Sequence, residues 1–211
     1  MLRLFLIELV RRMLLIGIFL LLPSVSAQVK AAAKSADSMP IASAGKPQAS
    51  IVVGEAGGNL SRYAATELQK YFRLLSGAEV PVIAEAQVSS RPAQEALLLV
   101  GGPDSNRLIR EAAGAKWVSF SGLKPEGFVI KAGRLKTHPA IIAGGNDDVS
   151  AMYAAYELIE RLGVTFTISE DSIPAVNPDL SIRAMDIRMD PAFSRRGFLL
   201  QSGGFINLSV F

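Results

Sequence analysis

Between Ser50 and Gly163 the chain alternates short apolar runs with long helical stripes. Ile51-Val52-Val53 is a β-branched run ended by Gly54, and Gly57-Gly58 marks a loop. Asn59 is placed to cap a helix whose apolar positions are Leu60, Ala64, Leu68, Phe72 and Leu75, one continuous stripe stopped by Gly77. Val80-Pro81-Val82-Ile83 predicts a brief strand, with Pro81 confining it to an edge or a strand start. The fully apolar run Ala96–Val100, closed by Gly101-Gly102-Pro103, predicts a buried central strand. A shorter helix follows around Asn106, Leu108 and Ile109, before Gly114. Residues 127–131 and 139–143 bracket a polar turn at Arg134–Thr137 and read as a hairpin. Gly144-Gly145-Asn146-Asp147-Asp148 then leads into a second long helix with Val149, Met152, Tyr153, Tyr156 and Ile159 on one face. Asp147 or Asp148 is its N-cap and Gly163 its end, and Val164–Thr167 predicts a final strand.

This order predicts an α+β fold: a two-layer α/β sandwich, a mixed sheet of five to six strands with two main helices on one face. No internal repeat is visible. Around this core the texture changes. Residues 1–27 combine Arg11-Arg12, the ten-residue apolar run Met13–Leu22 and small residues at Val25 and Ala27, the three parts of a secretory signal peptide. The run is too short to span a bilayer as a mature helix; the alternative is an uncleaved anchor that also uses Leu2–Val10. Residues 28–49 are rich in Ala, Ser and Lys and read as a flexible linker. Residues 50–172 form the predicted domain, and the proline-bearing stretch 173–190 reads as a second linker. Residues 191–211 open on a Pro-led turn and an Arg-Gly-apolar strand and reach Phe211 without a closing helix. An unpaired apolar strand leaves backbone groups without partners, so this stretch reads as the start of a truncated second domain.

Composition narrows the function classes. The precursor carries a formal charge of +3, and removal of residues 1–27 takes away three arginines and one glutamate, leaving +1. That balance makes no case for nucleic acid, and no basic stripe is interleaved with aromatics. The chain has no cysteine, which excludes disulfides, thiolate metal sites and a cysteine nucleophile. An exported protein without disulfides suits a bacterial periplasm, cell surface or exterior, with the membrane touched only through the N-terminal segment.

Candidate chemistry is sparse. Gly144–Asp148 stands between a strand and a helix N-terminus, where amides hold anions, but it lacks the glycine order and the lysine of phosphate loops. Two adjacent aspartates also repel phosphate, so a tight turn plus helix cap is the reading, and Gly101-Gly102-Pro103 is read likewise as a turn. His138, the only histidine, has no second ligand to share a metal and reads as a solvent-facing turn residue. A serine hydrolase is not indicated, since there is no elbow motif and only the one histidine. The carboxylates Asp147-Asp148, Glu157 with Glu160, and Glu170-Asp171 do not by spacing form a pair facing across a cleft, and Glu157 and Glu160 read as one wet helix face. Tyr63, Tyr71 and Phe72, and Tyr153 with Tyr156, fall at helical spacing and read as packing rather than sugar-stacking platforms. Arg196 precedes Gly197-Phe198-Leu199-Leu200, where a barrel's first strand would carry it to a ligand-facing rim. A guanidinium there forks onto vicinal hydroxyls or, equally, forms an interdomain salt bridge. No catalytic residue, cofactor or metal is assigned.

The run Tyr63–Phe72, then Leu75-Ser76-Gly77, then Val80-Pro81-Val82, resembles the non-catalytic N-terminal domain of bacterial exo-acting glycosidases of the alpha-glucuronidase and beta-N-acetylhexosaminidase type. Leu97–Gly101, Glu126–Ile130, Ile141–Asp147 and Ala151–Gly163 follow in the same order, so the likeness covers about residues 50–170. Pro191–Leu200 resembles the entry into a hexosaminidase-type TIM barrel. The resemblance makes Arg196 the counterpart of that barrel's sugar-binding arginine. Gln201 stands where an aspartate is usual, and the family's catalytic Asp-Glu pair would lie beyond Phe211. The resemblance thus implies an exported fragment of a glycoside hydrolase whose carbohydrate substrate is engaged through the missing barrel, inactive by itself. The alternative is a non-catalytic binding or structural module of the envelope.

Overall fold

A computed structural model describes residues 38–195 and Gly197, and the backbone of 201–202 and 205–206. The signal segment, the first part of the linker and Arg196 lie outside the described residues. The chain divides into two units, Met1–Met39 and Pro40–Phe211, and the architecture below is that of the second.

After strand β1 (Ser38–Pro40) and the short pair β2 (Ala42–Ser43) and β3 (Lys46–Pro47), the chain builds one six-stranded mixed sheet. Its strands are β4 (Ala49–Val53), β5 (Val82–Ala84), β6 (Ala96–Val100), β7 (Phe128–Leu135), β8 (His138–Gly145) and β12 (Asp186–Met189), in the spatial order β12-β7-β8-β6-β4-β5. The pairs β4–β5, β4–β6 and β6–β8 are parallel; β7 runs antiparallel to β8, and β12 antiparallel to β7. Outside this sheet, β9 (Thr165–Phe166) pairs with β10 (Asp171–Ser172), and β11 (Ser181–Arg183) precedes the last sheet strand.

Three helices cover the sheet: α1 (Asn59–Ser76), α2 (Arg107–Gly114) and α3 (Asp148–Arg161). Helices α1 and α3 pack against each other and on one sheet face, as the apolar stripes predict. Side chains alternate across a strand, so β6 feeds both faces. Its Leu97 and Leu99 join Val52, Ala140 and Ile142 under Leu108, Ile109 and Ala112 of α2, leaving Leu98 and Val100 to the face of α1 and α3. All five residues of β6 are buried, and each fully buried leucine contributes about 1.5–3 kcal/mol relative to exposure.

Several expectations change on contact with the structure. The linker drawn over 28–49 does not extend that far, because from residue 38 the chain forms strands. Ile41 is fully buried, its amide and that of Ala42 bond to the Leu180 carbonyl, and Ala49 already opens β4. Small side chains there allow close strand contact, which composition alone reads as flexibility. The linker drawn over 173–190 supplies β11 and the sheet's sixth strand, with Ile187 opposite Ile130. The strand expected at Val164–Thr167 shrinks to a two-residue partner of β10 outside the main sheet. On α3 the buried face consists of Ser150, Ala151, Ala154, Ala155, Leu158 and Ile159, one step around from the predicted stripe. Alanines are buried there because α3 lies against α1 as well as the sheet, and small residues permit that approach. Across from it, α1 buries Ala64 and Ala65 in addition to Leu68 and Phe72.

The face under α2 is completed by the loop carrying Trp117, Val118 and Phe120, with the indole against β7 at Gly133. A β-carbon at Gly133 would collide with three atoms of that indole, whereas Gly114 at the end of α2 has open space around it. Gly133→Ala is therefore expected to cost about 1–3 kcal/mol and to shift the emission of the single tryptophan. Gly114→Ala is expected to be neutral or to stabilise by up to about 1 kcal/mol. Urea unfolding monitored by tryptophan fluorescence checks both, and equal effects of the two substitutions would contradict the packing.

Candidate functional site

The parallel strands β4, β6 and β8 end on one edge of the sheet, and each passes through glycines into α1, α2 and α3 respectively. In open sheets with parallel strands this edge is the usual ligand seat, above all at the point where the strand order reverses. Here the order reverses between β4, which leads outward to β5, and β6, which leads back toward β8. Helix N-termini aimed at such an edge supply unpaired amides and a partial positive charge that suit an anion.

In this chain the seat is filled from within. A β-carbon at Gly144 would collide with the Gly101 carbonyl, one at Gly102 with the Gly145 carbonyl, and one at Gly54 with the backbone of Ser105 and Asn106. The three turns therefore rest backbone on backbone, and no crevice separates them. Asn106, fully buried, occupies the reversal point. Its amide nitrogen donates to the carbonyls of Val52 (3.3 Å) and Val100 (3.2 Å), tying the ends of β4 and β6. Its side-chain oxygen accepts from the amides of Leu108 (3.0 Å) and Ile109 (3.4 Å), capping α2.

The remaining helix amides are met by the protein's own carboxylates. Asp148 accepts from the amides of Leu60 (2.8 Å) and Ser61 (2.9 Å) and from the Ser61 hydroxyl. The cap of α1 thus comes from α3, not from Asn59, which is the first helical residue. Asp147 caps its own helix by accepting from the amide and hydroxyl of Ser150, both at 2.7 Å, and it also accepts from the Glu126 amide at 2.8 Å. Burial works to raise the pKa of Asp147, but hydrogen bonds from the amides of Glu126, Ser150 and Val149 and from the Ser150 hydroxyl outweigh it. They hold the carboxyl below its ordinary value. Glu85, from the 3₁₀ turn Glu85–Ser90, accepts from the amides of Arg107 (2.6 Å) and Glu55 (3.4 Å). At each of the three helix N-termini, amides of the kind that elsewhere hold phosphates are bonded to the protein's own side chains. The reading of Gly144–Asp148 as turn and cap holds, and each aspartate serves a different helix.

The other candidates lie apart from this edge. Imidazole Nδ1 of His138 sits 3.1 Å from the Glu95 carbonyl; the ring is half-buried at the start of β8 rather than facing solvent, because β8 begins beside the loop that leads into β6. Glu157 pairs with Arg161 at 2.7 Å and is half-buried, so it is not the wet face expected, whereas Glu160 is exposed. Asp171 accepts from the Tyr71 hydroxyl at 2.5 Å. The tyrosines form a clamp. Tyr156 donates to Glu67 (3.0 Å), whose residue is 8% exposed, and lies 3.3 Å from the Tyr63 hydroxyl. Burial first, then the hydrogen bonds to Tyr63 and Glu67, push the Tyr156 pKa upward. Phe166 stands edge-on to both Tyr71 (5.5 Å) and Tyr156 (5.1 Å). Packing is thus the use of Tyr71, Phe72 and Tyr156, although Tyr63 stays half exposed and the Tyr156 hydroxyl meets side chains of α1. Among the described residues no group of three His, Asp or Glu side chains is placed to hold a metal.

Residues 37–158 match the family described as "Glycosyl hydrolase family 67 N-terminus". The chain belongs to that family. The match runs from the first strand to the last turns of α3 and so contains all three capped helices. It begins well before residue 50, in agreement with the ordered chain from Ser38. A protein named "S-layer protein" from Methanococcus voltae is 31% identical over 80 residues, covering 38% of this chain and 14% of that protein. A solved family GH115 4-O-methyl-alpha-glucuronidase, described as specific for decorated arabinogalactans, superposes with a TM-score of 0.44 at 18% identity. That likeness covers 60% of this chain and 15% of the other. The chain therefore spans about one seventh of the proteins it is compared with. Among the described residues no helix is long and apolar enough to cross a membrane.

Two outcomes follow from the caps. Asn106→Ala and Asp148→Ala are each expected to lower stability by about 1–3 kcal/mol in urea unfolding, because both strand buried donors or acceptors; losses below about 0.5 kcal/mol would contradict the role assigned to them. Asp147 titrates lower in the folded than in the unfolded chain. Its contribution is complete above the unfolded value of about 3.9 and is lost as pH falls through the folded value. Asp147→Asn should therefore flatten the fall of stability below about pH 4, measured as unfolding midpoints across pH 2–6.

Proposed function

We propose that this chain is the N-terminal accessory domain of an exported glycoside hydrolase, whose intact parent cleaves terminal O-glycosidic bonds in glycans. The observation that carries the reading is family membership joined to a sheet edge filled by the protein's own side chains. A domain of a hydrolase family that has closed its natural ligand seat is suited to support and not to chemistry. Glycoside hydrolysis needs two carboxyl groups facing across a cleft wide enough for a sugar ring and, in inverting enzymes, a water. Asp147, Asp148 and Glu85 instead spend their oxygens on helix amides. In the parent, the catalytic carboxylates would come from the barrel, and Arg196 would bind the terminal sugar at its rim. Export through the N-terminal signal, with cleavage after Ala27, is part of the same reading. So is a carbohydrate substrate of the alpha-glucuronidase or hexosaminidase kind.

A second reading has one observation in its favour, the identity shared with an S-layer protein. On that reading the domain is a non-catalytic structural module of a cell envelope.

The purified chain is expected to show no turnover of aryl glycosides or glucuronoxylan, while the longer polypeptide encoded with it releases terminal sugars. Reducing-sugar release and chromophore assays on both samples test this. Turnover by the chain alone that is lost in Asp147→Asn would overturn the reading, and an inactive longer polypeptide would favour the envelope module.

A further inference from the structure

Beside the closed edge, the last described residues leave an open surface. Strand β12 ends at Met189 beside Phe128 of β7, and the chain then runs through Asp190 and Pro191 toward Ser194. A cleft of about 260 Å³ lies between this exit and α3, with Phe128, Met189 and Pro191 on one side and Tyr153, Glu157 and Glu160 on the other. A second cleft of about 460 Å³ adjoins it, sharing Glu126 and Pro191 and continuing along Ala192 and Ser194. Met189 is 44% exposed and Phe193 is 72% exposed, so large apolar groups stand in solvent along the exit. The exit path is itself fixed. The Lys124 amide donates to Asp190 at 2.8 Å, and Arg188 donates to the carbonyls of Ser119 (3.2 Å) and Ser121 (2.8 Å).

We propose that these two clefts are the seat of the domain that follows residue 195 in the longer polypeptide, an inference that rests on reading this chain as one domain of a larger hydrolase. The occupant is a protein surface with an apolar patch and a cationic rim. The apolar patch covers the exposed Met189 and Phe193, above the buried Phe128, and the cationic rim faces Glu160, which has no ion-pair partner among the described residues. Continuity argues for it. Residues that line the clefts are the tether, and five residues reach at most about 18 Å, so whatever follows is held over this surface. A tethered partner sheds most of the association entropy that a free one must lose. A modest interface of about 600–1,500 Å² is then enough. A second copy of this chain fits less well. A stable dimer buries about 1,200–2,000 Å², and two exposed apolar side chains, Met189 and Phe193, do not supply that without a tether. The paired exit suits a fixed interdomain angle, since all four residues of β12 stand in antiparallel register with β7.

Hydrogen exchange on the 211-residue chain and on the longer polypeptide tests the proposal. Amides of residues 153–160 and 187–194 are expected to exchange at least about tenfold more slowly in the longer polypeptide. The double variant Met189→Ser/Phe193→Ser should return them to the rates of the shorter chain. Both side chains are exposed, so the shorter chain carrying the same substitutions should keep its circular dichroism and its unfolding midpoint, which separates loss of docking from loss of fold. Equal exchange in the two proteins overturns the proposal, as does a reading frame that ends at Phe211. Protection in the shorter chain that grows with its concentration assigns the surface to a second copy and overturns it too. Sugar release measured on the same longer polypeptide keeps the two readings apart. Protection without turnover leaves the docking surface standing and removes the hydrolase, whereas turnover without protection does the reverse.

Discussion

The fold depends on the contact of three glycine turns at one end of the sheet. At Gly54, Gly101-Gly102 and Gly144-Gly145 the backbones approach so closely that a single methyl group would force them apart. This proximity lets one residue serve two elements: Asn106 can reach both Val52 and Val100, and Asp148 can reach across to the first turn of α1. Buried amides and carbonyls must find partners, and the cost of leaving one unpaired is about 1–3 kcal/mol. The turns thus bring partners within reach of the amides of Leu60, Ser61, Leu108, Ile109 and Ser150. Remove the glycines and the caps lose their targets; remove the caps and the turns close over unpaired groups.

That arrangement decides what the domain can do. Sheets with this strand order usually leave a crevice where the order reverses, and chemistry collects there. Here the same geometry has been turned inward, with carboxylates of the protein standing where a ligand's phosphates or carboxylates would lie. The result is a rigid block with both faces covered and its natural mouth shut. The family to which that block belongs is described as the N-terminus of glycosyl hydrolase family 67.

Much of the fold was legible because burial on both faces leaves a plain signature. Ala96–Val100, closed by glycines, reads as a buried central strand, and the 4-residue spacing of Ala64, Leu68 and Phe72 reads as one helix face. What escaped is equally instructive. The buried face of α3 is mostly alanine, and alanine carries little hydrophobic signal, so the tyrosines drew attention away from it. Strand β12 alternates Asp186, Ile187, Arg188 and Met189, a pattern too short and too polar to separate from a proline-rich connector. The two neighbouring aspartates were recognisable as caps, but nothing local says that Asp148 caps a helix 88 positions away. Glu85 gave no signal at all, and Asn106 marked only the start of a helix, since their long-range roles exist only once the strands are side by side.

With both faces covered by helices or packed loop, the two outer edges of the sheet are what remains for strand pairing. Unpaired edges invite association unless they are short, bent or covered. Strand β5 has three residues, follows Pro81 and gives way at once to the 3₁₀ turn, so it offers little to a partner. Strand β12 is longer, but Arg188 reaches from it to two carbonyls of the loop at Ser119 and Ser121, and its residues point charge outward at Asp186 and Arg188. Both edges are guarded against strand addition. Association by side chains is therefore the mode left open to this domain, and the large side chains that stand in solvent beyond β12 lie on the path by which the chain departs.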